Sequence, residues 1–414
     1  MSEVTRRFAV RLALAAVLAV LVARLARARD AAAEFLSTAE AGDRAAVAAL
    51  LRQRVDLEAQ DQHGRTALML AAYKKHEDVV SLLVENGANI EARSHDRQTP
   101  LMHAVVGGSP EIVRFLVGRH ADLKAEDNAA QTALDWARIL GRIDIADALR
   151  PKYKKVPLID AAERGALPEA RRRIENGADV EEKDAYGWTA LMSAVCGGHA
   201  DIAGLLIARR ARIDAPMRNG ETALMLTVLN GDAKLARLLV EKGAALDVKD
   251  KFGATALSSS ITRGNREIYL LLLGKGANAN VGDNGGTTPL MISANADRVD
   301  AAAALLEKGA DPNKMSNDGW TALMSAAFYG YADVARLLID KGADPNLNSR
   351  STRKEMVTPL MAAVEGGHGE MVRLLVGRKI DLYAHNALGE TALDLARKHG
   401  RPEAIAELLR SGVR

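Results

Sequence analysis

Residues 66–72 read TALMLAA, residues 99–105 TPLMHAV and residues 132–138 TALDWAR, each opening on a threonine 33 positions after the last. The same spacing carries a second series through Thr189, Thr222, Thr255, Thr288 and Thr321. Thr358 follows after 37 residues and Thr391 after 33 more. Two further segments, around Phe35–Gly42 and Val156–Gly165, keep the pattern without the threonine. A fixed period of this length is the signature of stacked supersecondary units, and about twelve of them account for the chain from residue 31 onward.

Each unit translates into local structure. The threonine hydroxyl N-caps a first helix, and Pro100, Pro289 and Pro359 at the next position suit its first turn. Leucine and paired alanines make that helix thin enough for close stacking. Gly108, Gly231, Gly264 and Gly330 end it in a tight turn. A second helix follows with apolar residues at helical spacing, as in Val79, Val80, Leu82, Leu83 and Val84. Gly87, Gly177, Gly243, Gly276, Gly309 and Gly342 then stand where a left-handed residue closes the helix. Arg54, His120, Arg210 and Lys379 occupy the same place at a cost of about 1 kcal/mol each. A loop such as Asp61–Gly64 forms the hairpin leading to the next threonine.

Together these features resemble the ankyrin repeat family over about residues 31–410. The resemblance implies an all-α repeat solenoid, with a helix-turn-helix plus a β-hairpin loop in each unit. The family places histidine after the leucine (T-P-L-H). Here Met69, Met102, Met192, Met225, Met291, Met324 and Met361 stand there instead, so the hydrogen-bond link made by that ring is expected to be absent.

The array breaks once. Only 24 residues separate Thr132 from the equivalent Val156, and Arg150–Lys155 replaces a hairpin. TALDWARILGRIDIADALR before the break closely matches the final TALDLARKHGRPEAIAELLR, and both read as terminal capping units. The expected organisation is a four-unit block over 31–150, a basic linker at 151–155 and an eight-unit block over 156–414, stacked continuously or hinged near Pro151. Four extra residues near Ser351–Met356 lengthen one loop.

Residues 1–30 stand apart. Arg6, Arg7 and Arg11 precede an uncharged run from Leu12 to Ala23, and Ala26-Arg27-Ala28 follows. Twelve helical residues span about 18 Å, short of the roughly 30 Å hydrocarbon core. The layout is that of a secretory signal. Arg24 and Arg27, at the far end of the run, also fit an uncleaved anchor with snorkelling ends, and a cytoplasmic extra helix on the first unit is the third reading.

Charge and composition bound the function. Basic and acidic side chains number 56 and 53 and are spread along the chain, so no stripe for nucleic acid stands out. The run Arg171–Arg173, beside Glu169 and Glu175, reads as a solvated helix face. Cys196 is the one cysteine, which excludes an intramolecular disulfide and reads as packing. The histidines show no metal-ligand spacing, and His199 and His368 share a Gly-Gly-His turn with a structural role. No phosphate-binding glycine loop appears. No catalytic residue, metal or cofactor is expected, and the chain reads as a monomer.

The resemblance implies that partners dock on hairpin tips and exposed positions late in the first helix, facing a concave surface. Mapped onto this chain, those positions include Tyr73, Tyr186, Trp188, Phe252, Trp320, Phe328 and Tyr329, seven of the fifteen aromatics. Large aromatics on a rigid surface are the usual anchors of protein interfaces; lateral packing that stiffens the array is the alternative. Trp136, in the unit before the break, reads as core or cap. The functional expectation is a protein-binding adaptor, exported or membrane-tethered through its N-terminus. A purely structural, envelope-associated spacer and an inhibitor or immunity-type protein are the alternatives.

Overall fold

A computed structural model describes residues 30–149, 156–184, 187–349, 357–378 and 380–413. Residues 1–29, 150–155, 185–186, 350–356, 379 and 414 lie outside the described residues, and with them the expected leader, the expected linker, the four extra residues near Ser351–Met356, Tyr186 and Lys379. The chain divides into two compact units, Met1–Lys154 and Lys155–Arg414.

Within each unit the described residues form paired helices. In the first, Ala67–Tyr73 pairs with Glu77–Glu85, Pro100–Gly107 with Pro110–Gly118, and Ala133–Ile139 with Ile143–Leu149. In the second, pairs run from Pro157–Glu163 with Leu167–Glu175 to Ala392–Lys398 with Pro402–Arg410. The first helices are buried almost throughout: every residue from Ala67 to Ala72 is inside. Alanine makes this possible, because a helix sandwiched between two others has no room for bulk on those flanks. The second helices bury one stripe, as with Val79, Val80 and Leu83, and each such side chain contributes roughly 1.5–3 kcal/mol of burial.

The caps follow the sequence pattern closely. Thr66, Thr99, Thr132, Thr189, Thr255, Thr288, Thr321, Thr358 and Thr391 each accept a backbone N–H three residues on; Thr222 has the same extended backbone but makes no such bond. The methionines that replace the family histidine are buried, and two of them act as caps. The Thr99 and Thr288 N–H groups lie 3.4 and 3.5 Å from the sulfurs of Met102 and Met291. Asp135 and Asp394 fill the same place with a carboxylate that accepts from the threonine N–H at 2.8 and 2.9 Å. Arg54, His120 and Arg210 do take the left-handed conformation, with φ of 60°, 68° and 68°.

The hairpin loops are held without a regular strand ladder; among the described residues the sole pairing of strand type is the isolated Gln60–Thr66 bridge. The reason is their shortness. Asp61 Oδ1 accepts the N–H groups of His63 and Arg65 at 2.8 and 2.9 Å, so a side chain does the work of a second strand. Successive tips are tied to each other. His95 N–H donates to His63 O, Asn284 N–H to Phe252 O and Asn317 N–H to Gly285 O, at 2.8–3.0 Å. At the opposite loop, carboxylates and amides accept an N–H 31 positions later, as Asp247 does from Asn278 and Asn280 from Asp311.

A third set of ties crosses the helix–helix turn. His76, Arg142, His199, Arg298 and Arg401 each reach a backbone carbonyl 36 residues earlier, at 2.9–3.2 Å. Each lies over the turn glycine of the preceding unit. At Gly264, φ is +75° and an added Cβ would come 2.5 Å from Arg298 Nη1, so the tie needs glycine for both backbone and space. Where that turn residue is Lys75 or Asp297, the residue 34 positions on is Ser109 or Tyr331, not histidine, arginine or asparagine. Gly198, followed by Asp232, is an exception.

Candidate functional site

Trp320 closes a hairpin whose tip is Asn317-Asp318-Gly319. Its backbone pairs with Ser316 at 2.9 Å, and its N–H donates to Ser316 Oγ at 3.1 Å. The next residue, Thr321, caps the helix Ala322–Tyr329, and Gly330, at φ +77°, ends it. Phe328 and Tyr329 therefore occupy the last turn, on the side of the helix that the hairpin overhangs. Phe328 meets Trp320 edge-on at 5.9 Å between ring centroids and Tyr329 edge-on at 5.3 Å. Edge-to-face pairs of this kind are favourable because the positive ring edge meets the negative face.

The structure adds a fourth ring. Tyr331 stacks on Tyr329 at 5.8 Å with planes 21° apart. It stands where other units place the histidine or arginine that ties adjacent turns, so a tyrosine at that register was the available signal. Tyr329 is 48% exposed, and Trp320, Phe328 and Tyr331 are half-buried. Trp320, Phe328 and Tyr329 line a cleft of ≈ 320 Å³ with Thr287, Met291, Asn295, Ser316 and Ser325.

The other expected site residues are placed differently. Tyr73, in the first unit, is exposed, with Lys74 Nζ 5.8 Å from its ring centroid. It borders a cleft of ≈ 350 Å³ with His63, Arg65, Ser94, Asp96, Gln98, His103 and Val106. Burial holds the His103 imidazole below its usual pKa, while its Nδ1 lies 3.1 Å from Thr99 O. Phe252 is exposed at its hairpin tip, under Lys251 Nζ at 5.0 Å, and is not among the residues lining the Trp320 cleft. Tyr186 falls outside the described residues.

Trp188 requires a correction. It has the same register as Trp320 but no accessible surface. Its backbone N–H donates to Asp184 Oδ1 at 3.0 Å and its carbonyl accepts from the Asp184 N–H at the same distance, the hairpin closure that Trp320 also makes, so the local backbone does not set the difference in burial. A side chain wholly out of contact with water offers nothing to a partner, so its role is in the core. Trp136 is half-buried and donates to Asp127 Oδ2 at 3.0 Å. Cys196 is buried, and Arg172 and Arg173 pair with Glu169 on an open helix face.

The clefts follow one rule. A further one is lined by Val357, Met361, Glu365, Asn386, Leu388, Glu390, Leu395, Lys398 and His399. In all three, the residues just before two successive capping threonines take part: Arg65 and Gln98, Thr287 and Trp320, Val357 and Glu390. So do the residues seven positions after those threonines: Tyr73 and Val106, Asn295 and Phe328, Glu365 and Lys398. The notch between adjacent repeats thus recurs at one register in these three junctions, and the residues at those two positions differ from one to the next.

Among the described residues, no group of three or more His, Cys, Asp or Glu side chains is placed to hold a metal ion. No described helix is long and apolar enough to cross a membrane.

Comparison with solved structures gives the ankyrin repeat domain of Bcl-3, described as a unique member of the IkappaB protein family, at 26% identity. The match has a TM-score of 0.49 and covers 54% of this chain and 99% of that one. The human ASB11 ankyrin repeat domain matches at 26% identity and a TM-score of 0.43, over 62% of this chain and 98% of that one. No curated protein matches the chain. The family profile described as "Ankyrin repeats (3 copies)" matches residues 35–127, 90–157, 210–283, 270–349 and 346–414, and "Ankyrin repeats (many copies)" matches 158–207. With period, caps, turns and profile in agreement over most of its length, the chain belongs to the ankyrin repeat family.

Proposed function

We propose that this chain is a non-catalytic protein-binding scaffold that holds its partner on the Trp320–Phe328–Tyr329 cleft of the second unit. Ankyrin repeats are protein-interaction modules, and this reading adds the place. The observation that carries it is the aromatic cluster itself, four rings in contact one after another, three of which border an open cleft. Ring–ring contacts and the hairpin ties from Gly285 to Asn317 hold the surface in one shape, so little conformational entropy is lost on binding. Phe252 and Tyr73 supply further exposed aromatic surface in their own units. The leader of basic residues and apolar run supports delivery of the array across or onto a membrane.

The test is a pull-down with the full chain beside Trp320→Ala/Phe328→Ala/Tyr329→Ala, with soluble and membrane fractions probed separately. A protein held by the wild type and lost by a variant that keeps its helical signal supports the reading. Identical capture by both refutes the assignment of the cleft and favours a spacer whose length matters more than its surface.

A further inference from the structure

We infer that the Trp320 cleft takes a cationic side chain, an arginine or lysine presented by the partner protein. This rests on the binding role proposed above and names the chemistry recognised there.

These three inter-repeat notches share a register and differ in charge. The one at Tyr73 already holds a basic residue, Arg65, beside Asp96, and the one at Leu388 holds Glu365 and the Lys398–Glu390 pair at 2.7 Å. The Trp320 cleft has no charged residue in its lining. Two exposed carboxylates stand within two residues of that lining along the chain. Asp297 follows two residues after Asn295, and Asp318 precedes Trp320 by two on the same tip. Neither makes an ion pair with a described residue. Asp283, on the neighbouring tip, is occupied by the N–H groups of Gly285 and Thr287 at 2.9 and 2.8 Å. Arg298 is tied back to Thr262 O at 3.2 Å, and Lys314, on the arm leading to the Trp320 tip, is the nearest other basic residue in sequence.

Aromatic faces are negative, and tryptophan is the strongest attractor of cations among them. A guanidinium is planar and weakly hydrated, which suits it to lie against a ring while its N–H groups reach flanking carboxylates. Asp297 reinforces the placement. It takes a left-handed backbone with φ of 52° at a turn position filled by glycine in most units, so a carboxylate stands there at some conformational cost. The same exchange removes the glycine over which an arginine or histidine from the next unit would lie. Tyr331 stands in that position and extends the ring cluster.

The experiment titrates the full chain with a capped glycine–arginine hexapeptide and with glycine–leucine and glycine–glutamate versions, following tryptophan emission. Trp136 and Trp188 supply a background that Trp320→Phe isolates. The expected result is a change in emission with the arginine peptide alone, absent in Trp320→Phe. It should weaken about threefold or more in Asp297→Asn/Asp318→Asn and fall further with added salt. Equal response to the leucine peptide, or unchanged affinity in the double asparagine variant, overturns the inference. If the arginine peptide fails while the triple-alanine variant still loses its captured protein, the cleft binds a partner through other chemistry and only the cation is refuted.

Discussion

Tyr269 offers the sharpest test of how the second unit is held. It lies on the helix Arg266–Gly274 at a register filled by Ala203, Ala236, Ala302 and Ala335 in other repeats, and it is 2% exposed. Its hydroxyl donates to Asp300 Oδ2 at 2.5 Å, and Arg266 lies 3.3 Å from the same carboxylate oxygen. Burial first, and then the bond to Asp300, push its pKa from 10.0 up to about 12. Tyr269→Phe keeps the ring and removes the hydroxyl. A hydrogen bond to a charged group contributes about 1.5–3 kcal/mol, but Asp300 is half exposed and water replaces the lost donor, so about 1 kcal/mol is expected.

The sign with pH follows from the raised pKa. Folding favours the neutral phenol, so the stabilisation is complete below pH 10 and is lost as pH rises towards 12. At pH 11 the wild type should have lost about 1.4 kcal/mol that the phenylalanine variant, which cannot titrate, retains. Urea unfolding followed by circular dichroism should therefore show the wild type ahead by about 1 kcal/mol at pH 8 and the order reversed near pH 11. Parallel pH profiles for the two proteins would show that the phenol is not held neutral by this site.

Further expectations concern caps, turns and the two tryptophans. Thr321→Ala should cost about 1 kcal/mol, while Thr222→Ala, whose hydroxyl caps nothing, should cost clearly less; paired urea melts decide it. Arg54→Gly and Arg210→Gly should each stabilise by about 0.5 kcal/mol, as relief of left-handed strain exceeds the added freedom of the unfolded chain; unchanged or lower midpoints would contradict this. Trp188→Ala should destabilise by about 3–5 kcal/mol, whereas Trp320→Ala, which removes a half-buried ring and one edge contact, should cost about 1–2 kcal/mol and act chiefly on partner capture. Equal losses of stability would remove the distinction between core and surface drawn for these residues.

How far the sequence reached depends on which quantities are local. Period, caps and turn glycines depend on a few neighbouring residues, so the threonine series, the left-handed Arg54, His120 and Arg210, and the grouping of Trp320 with Phe328 and Tyr329 were all legible from spacing. Even the methionines, expected only to lack the histidine's link, kept their register while two of them contributed a sulfur to the cap. Exposure is not local. Trp188 and Trp320 have the same register and the same following threonine, yet one is sealed and the other lines a cleft, because accessibility depends on every chain segment that packs around the position. The stacking of Tyr331 on Tyr329 and the bond from Tyr269 to Asp300, 31 residues away, likewise arise only when consecutive repeats are brought side by side. The sequence by itself determined the repeat and its register. Tertiary structure decided which side chains at a given register face a partner, since burial is a property of the assembled stack and not of any one unit.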